Sequence, residues 1–154
     1  MGSGHFASRP APPVAPVTAS TPAPAISAER LRILITDDDP IQRAFGSAFL
    51  EKTAGVVETA ESGEEGLKKL EAGAYDIALL DIDMPGMGGF ETLRAIRANP
   101  KTRRLPVIIV TSREDVASID KAYGLGASSF AIKPVNWTLL SYQLRYVVRE
   151  ASGR

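Results

Sequence analysis

Two adjacent acids, Asp37 and Asp38, follow the apolar run Leu31–Thr36, and a third, Asp81, follows Asp76–Leu80. Lys133 follows Ser128–Ile132, and Thr111 closes the apolar run Leu105–Val110. Three carboxylates gathered within a few ångströms repel one another, and one or more pKa values rise unless a cation joins them. A hard divalent ion with oxygen ligands is the natural partner. Mg²⁺ suits a small cluster that keeps several waters and leaves room for phosphate. The ion and Lys133 would then neutralise an incoming phosphoryl group, and Thr111 would hydrogen-bond one of its oxygens. Asp81 is left as the attacking carboxylate, and its product would be an acyl phosphate.

These residues come from across the chain, so the elements around them must do the gathering. Leu31–Thr36 reads as a strand. Asp39 follows as an N-cap, with Pro40 at the first helical position and Gln42 three residues on, a capping-box arrangement. The helix it opens carries Ile41, Ala44, Phe45, Ala48 and Phe49 on one face. Val56–Ala60 is the second strand, and Ser62-Gly-Glu-Glu65 caps a helix through about Ala72 with Leu67 and Leu70 inward. Asp76–Leu80 is nearly all apolar, as a strand buried on both faces should be. After a loop with Pro85 and three glycines comes a helix near Gly89–Ala98, then the strand Leu105–Val110. Ser112-Arg-Glu-Asp115 reads as the next helix cap, with a stop at Gly124 or Gly126. Ser128–Ile132 is the fifth strand, and Asn136 caps a last helix to about Glu150.

Five strand–helix repeats with short links predict an α/β doubly wound five-stranded parallel sheet, with the order 2-1-3-4-5 and right-handed crossovers. In such a sheet ligands bind outside the carboxyl ends of the strands, at the switch point, here between strands one and three. Those strands end in Asp37-Asp38 and Asp81. Fold and charge name the same crevice.

Composition narrows the field. Lys plus Arg equals Asp plus Glu at 18 each, so no global field favours nucleic acid or an anionic membrane. No cysteine is present, which excludes disulfides and thiolate chemistry; the single histidine is His5. No apolar run approaches the roughly 18 residues of a membrane span, and no signal-peptide core is visible, so a cytoplasmic location is expected. Residues 1–28 hold six of the eleven prolines and read as a disordered Pro/Ala-rich tail or linker, with a tag remnant suspected at 1–6. Residues 29–152 form the expected domain.

Asp37-Asp38, Asp81 with Met84-Pro85-Gly86, Thr111-Ser112 and Lys133-Pro134, in this order and separation, resemble the receiver domain of bacterial two-component response regulators. The likeness covers about Arg30–Ser152. It implies the flavodoxin-like (βα)5 fold and assigns roles. Asp81 would be the phosphoacceptor, charged by a histidine kinase or phosphotransfer protein and reset by slow self-hydrolysis, a signalling switch and no enzyme in the turnover sense. Asp38 and Asp81 would bind Mg²⁺ directly with the backbone carbonyl of Asp83, and Asp37 through water. Lys133 would pair with the phosphoryl group, and the bond before Pro134 is commonly cis. Thr111 and Phe130 would form the switch. The family often has Asp where Gly88 stands, so a looser helix start with intact chemistry is expected. The side chains of Asp83 and Arg113 either tune water access to an acyl phosphate or stand as plain surface residues, and the sequence leaves both readings open.

The last helix carries Trp137, Leu140, Leu144 and Val147 at core spacing, with Leu139, Tyr142 and Tyr146 on a neighbouring stripe. That stripe fits a partner or homodimer face built from helix four, strand five and helix five. Lys133-Pro-Val-Asn-Trp-Thr-Leu-Leu140 is similar to receivers that precede cyclic-di-GMP domains; an effector of that kind is one output this resemblance implies, beside a stand-alone regulator. Two rivals differ in class. Asp81-Ile-Asp83 also resembles the nucleophile motif of haloacid-dehalogenase-type phosphatases, although that family places its acidic pair late and adds a cap for substrate. A pseudo-receiver acting as an assembly module without phosphorylation is the other.

Overall fold

The computed structural model describes residues 30–153; the segment read as a tail, 1–28, lies outside the described residues. Five strands, β1 Leu31–Thr36, β2 Gly55–Ala60, β3 Ile77–Asp81, β4 Val107–Thr111 and β5 Ser129–Ile132, form one parallel sheet in the order β2-β1-β3-β4-β5. Five helices alternate with them: α1 Pro40–Thr53, α2 Gly63–Ala72, α3 Gly89–Ala98, α4 Val116–Gly124 and α5 Trp137–Ser152. This is the expected flavodoxin-like architecture. Strand edges differ from the sequence reading by a residue or two; β3 and β4 shift forward to include Asp81 and Thr111 themselves.

Side chains alternate across each strand, so the sheet buries two separate apolar layers. Ile33, Ile35, Leu79 and Ile108 face one layer with Leu50 of α1 and Leu140 and Leu144 of α5. Leu34, Leu80 and Ile109 face the other with Leu70 of α2, Leu93 and Ile96 of α3 and Ala122 of α4. Each middle strand is therefore apolar on both faces.

Register does the positioning. Thr36 pairs with Leu80, Asp81 with Val110 and Thr111 with Ile132. The next residue along β1, Asp37, thus comes beside Asp81, and Thr111 and Lys133 each stand one step beyond their neighbours. The strands end as a row.

The structure settles the direction of one stripe and changes two cap readings. The apolar stripe of α1 faces mostly outward: Ile41 is 73% exposed and Phe45 59%. The buried edge is Gly46 and Leu50, because Gly46 lets Trp137 of α5 close in; a Cβ there would lie 2.6 Å from the indole ring. Asp39 caps α1 through the Ile41 N–H, but its own N–H donates to Asp37 Oδ1 at 2.9 Å, so Gln42 closes no box. At α4 the cap is Asp115, which accepts from the Ser118 N–H, and not Ser112. The Arg113 N–H is held by Thr111 Oγ1 at 3.0 Å, which keeps that stretch a loop over the strand ends.

Candidate phosphoryl and metal site

Asp81 is the last residue of a central strand and is 3% exposed; Asp37 follows β1 and is 5% exposed, while Asp38 beside it is open to solvent. Oxygens of all three carboxylates lie within 4.8 Å of one another. Lys133, at the end of β5, reaches into the same space. Its Nζ stands 3.2 Å from Asp37 Oδ2 and 3.3 Å from Asp81 Oδ1. Thr111 is fully buried at the end of β4. The expected residues meet.

The surroundings hold them in place. Asp37 Oδ1 takes the Asp39 N–H, and its backbone carbonyl takes Arg43 Nη1 at 2.8 Å. Asp81 Oδ1 also accepts the Asp83 N–H at 3.3 Å, so the loop after β3 folds back over the carboxylate. That loop is tight because Gly89 begins α3 against it; a Cβ at 89 would lie 2.3 Å from the Asp81 carbonyl oxygen. Gly88 is the N-cap of α3, and Glu91 Oε1 accepts its N–H at 3.3 Å, which supplies part of what the missing acid would give. The Lys133–Pro134 peptide is cis.

Charge is out of balance here. One ammonium contacts two buried carboxylates with a third nearby. Burial pushes the Asp81 carboxyl up to about 6, Asp37 adds to the rise, and Lys133 with the Asp83 N–H opposes it. Burial alone would depress the Lys133 ammonium, but Asp81 and Asp37 outweigh it and hold the ammonium above its ordinary value. An all-oxygen donor set with surplus negative charge fits a hard divalent cation such as Mg²⁺, and a thiolate- or imidazole-seeking metal poorly. This is the one such acidic group among the described residues.

Asp83 points its carboxylate outward, where it meets Arg113 Nε at 2.9 Å and Nη2 at 2.6 Å, with Thr111 Oγ1 at 3.4 Å. Phe130 is half-buried on the layer of α2, α3 and α4, its ring 6.5 Å from that of Tyr123. Tyr123 was not legible as its companion, since only the fold sets α4 beside β5. Gln42 and Trp137 were likewise missed. They line a small cavity with Asp37 and Asp81, and nothing in helical spacing marks a residue as lying beneath an acidic site. A larger depression lies at the opposite strand ends, lined by Leu70, Tyr75, Lys101 and Leu105, without an acidic cluster.

The chain matches the family model described as response regulator receiver domain over residues 33–145. It is 41% identical over 119 residues to the transcriptional regulatory protein AfsQ1 of Streptomyces coelicolor, covering 76% of this chain and 50% of that protein. It is 38% identical over 108 residues to a probable cyclic di-GMP phosphodiesterase of Vibrio cholerae, covering 70% of this chain and 24% of that one. The chain thus spans half or less of these curated relatives. Among solved structures it is similar to a CheY-like response regulator receiver domain protein of Methanospirillum hungatei, with a TM-score of 0.75 and 30% identity. That likeness covers 81% of this chain and 98% of the other. Among the described residues, no helix is long and apolar enough to cross a membrane.

Proposed function

The chain belongs to the response regulator receiver domain family, and from that membership we propose that Asp81 accepts a phosphoryl group and switches a distant surface. The observation that carries this reading is Lys133, whose ammonium touches both Asp37 and Asp81. It stands where an incoming phosphoryl group would place new negative charge. Asp38 and Asp81, with the backbone carbonyl of Asp83, would hold Mg²⁺, and Asp37 would hold it through water. The bound ion supplies charge neutralisation at the phosphoryl oxygens.

The chain's own groups do the rest. Lys133 and the Asp83 N–H both hold Asp81 Oδ1, leaving the other oxygen to attack phosphorus. The new bond is Asp81 O–P; the bond that breaks joins phosphorus to the donor, whose leaving group departs with the electron pair. Lys133 then pairs with the transferred group, and the Thr111 hydroxyl donates to one of its oxygens. As Thr111 moves, Phe130 moves with it, and the change reaches Tyr123 and the face of α4, β5 and α5.

The phosphodonor would be a cytoplasmic histidine kinase or phosphotransfer protein. Exposed Ile41 and Phe45 on α1 give it an apolar landing beside the pocket. The output would pass through Leu139, Tyr142 and Tyr146, all exposed, to a second copy or an effector. The relative named as a cyclic di-GMP phosphodiesterase supports an effector of that class.

The test is labelling by acetyl phosphate. Wild type should take up phosphate only with Mg²⁺, and Asp81→Asn should take up none. An unlabelled wild type, or a labelled Asp81→Asn, would sink the assignment.

A further inference from the structure

At the face opposite the acidic pocket, where the strands begin, the surface is hollow. Two depressions of about 440 Å³ and about 310 Å³ lie there, and Tyr75, Lys101 and Leu105 line both, so they form one groove. Leu70 and Ala74 belong to one part of it, Pro106 and Val148 to the other. Tyr75 is held in place: its hydroxyl donates to Glu58 Oε1 at 2.7 Å, and the Arg32 guanidinium stands 5.3 Å from its ring centre. A ring so fixed loses little conformational freedom when something covers it. The rim is cationic. Lys101 Nζ donates to the Glu71 carbonyl, and the Arg104 side chain is exposed.

The chain enters β1 at this same face. Ile33 pairs with Ile77. One step earlier the Arg32 N–H donates to Asp76 Oδ2 at 2.7 Å, and the Arg32 carbonyl accepts the Asp76 N–H at 2.8 Å. Asp76 lines the groove. Continued backwards, that register brings the residues just before β1 level with Ala74 and Tyr75. Residues 1–29 therefore join the domain at the edge of the groove. From β1 past β3 to β4 is two strand spacings, about 10 Å, whereas eight residues of polyproline II reach about 25 Å. Residues 22–29 read Pro-Ala-Pro-Ala-Ile-Ser-Ala-Glu. Pro22 and Pro24 have no N–H that docking could leave unsatisfied, and their rings hold φ close to the polyproline value. Ile26 offers apolar area to Leu70 and Leu105. Glu29, the single acid in residues 1–29, offers a carboxylate to the cationic rim.

We propose that residues 22–29 lie in this groove as an extended, polyproline-like strip across the base of the sheet, with proline packed against Tyr75. Pro-rich segments suit aromatic-lined grooves because their conformation is already set before contact. Tethering adds to this. A segment fixed at the edge of the groove meets it at an effective concentration on the order of 1 mM, so a contact too weak to hold a separate peptide is still populated. The strip covers the face remote from Asp81 and leaves the pocket open.

The chain has no cysteine, so Ser20→Cys gives one attachment point for a nitroxide in the otherwise full-length protein. The readout is paramagnetic broadening of backbone amides by NMR. Arg30 has the groove on one flank and β2 on the other, where its Nη2 meets the Gly55 carbonyl at 3.2 Å. A segment that does not dock broadens both flanks alike. A docked one should weaken the amides of Tyr75, Lys101 and Leu105 at least about twofold more than those of Gly55 and Val56, as for a tethered contact occupied about half the time or more. Pro22→Ser with Pro24→Ser changes no residue of the described domain and should return the two flanks to equality. Equal broadening in the Ser20→Cys protein, or a groove signal that the double replacement leaves intact, would overturn the proposal. So would broadening that arises only between a spin-labelled chain and a separate isotope-labelled one, since a second copy would then be the occupant. None of these readouts involves phosphorylation, so failure here leaves the Asp81 assignment standing.

Discussion

At neutral pH the Asp81 carboxylate is ionised against the preference of its surroundings. Its pKa is about 6 in the folded protein, mainly through burial and then through Asp37, against 3.8 for an ordinary aspartate. The native state therefore holds this proton more tightly than the unfolded chain, and lowering pH favours folding. That contribution is complete below the unfolded value and is lost as pH rises through about 6. Lys133 is raised as well, but it stays charged throughout this window and contributes no slope there. Without a divalent ion, Asp81→Asn should stabilise the protein near pH 7 by about 2 kcal/mol in urea unfolding, and the advantage should narrow towards pH 5. An advantage that stays constant across this range would show that Asp81 titrates normally.

Helix α5 separates burial from spacing. Leu144 is fully buried between α1 and the sheet, whereas Leu139, five residues earlier, is exposed. Leu144→Ala should cost about 2–5 kcal/mol from lost burial and the cavity left behind. Leu139→Ala should stay within about 0.5 kcal/mol of wild type in the same unfolding assay. The α5 stripe was legible because Leu140, Leu144 and Val147 form one unbroken row at helical spacing, and all three are buried. The α1 stripe was legible only as a stripe. Periodicity locates an apolar face but not which side meets the sheet, and there the deciding residue was Gly46, whose lack of a side chain admits Trp137. The acidic site read well because its members are strand ends, which a parallel sheet must align. The contacts of Asp83 with Arg113 and Thr111 did not, since they depend on how two loops lean together.

At the scale of the whole domain, the pocket and the face of Tyr142 and Tyr146 are separate surfaces joined through β5. If that face carries the output, association of the protein after treatment with acetyl phosphate and Mg²⁺ should depend on it. Replacing both Tyr142 and Tyr146 with Ser should abolish activation-linked association in sedimentation and leave phosphate uptake intact. Unchanged association in this variant would place the output elsewhere.

Trp137 is the sole tryptophan of the chain, and it lines the small cavity shared with Gln42, Asp37 and Asp81 while stacking on Phe45. The protein therefore carries an optical probe seated under the place where cation and phosphorus would arrive. Titrating Mg²⁺ should alter its ultraviolet emission saturably in wild type. With Asp81→Ala the response should weaken, so occupancy can be followed in real time without a dye.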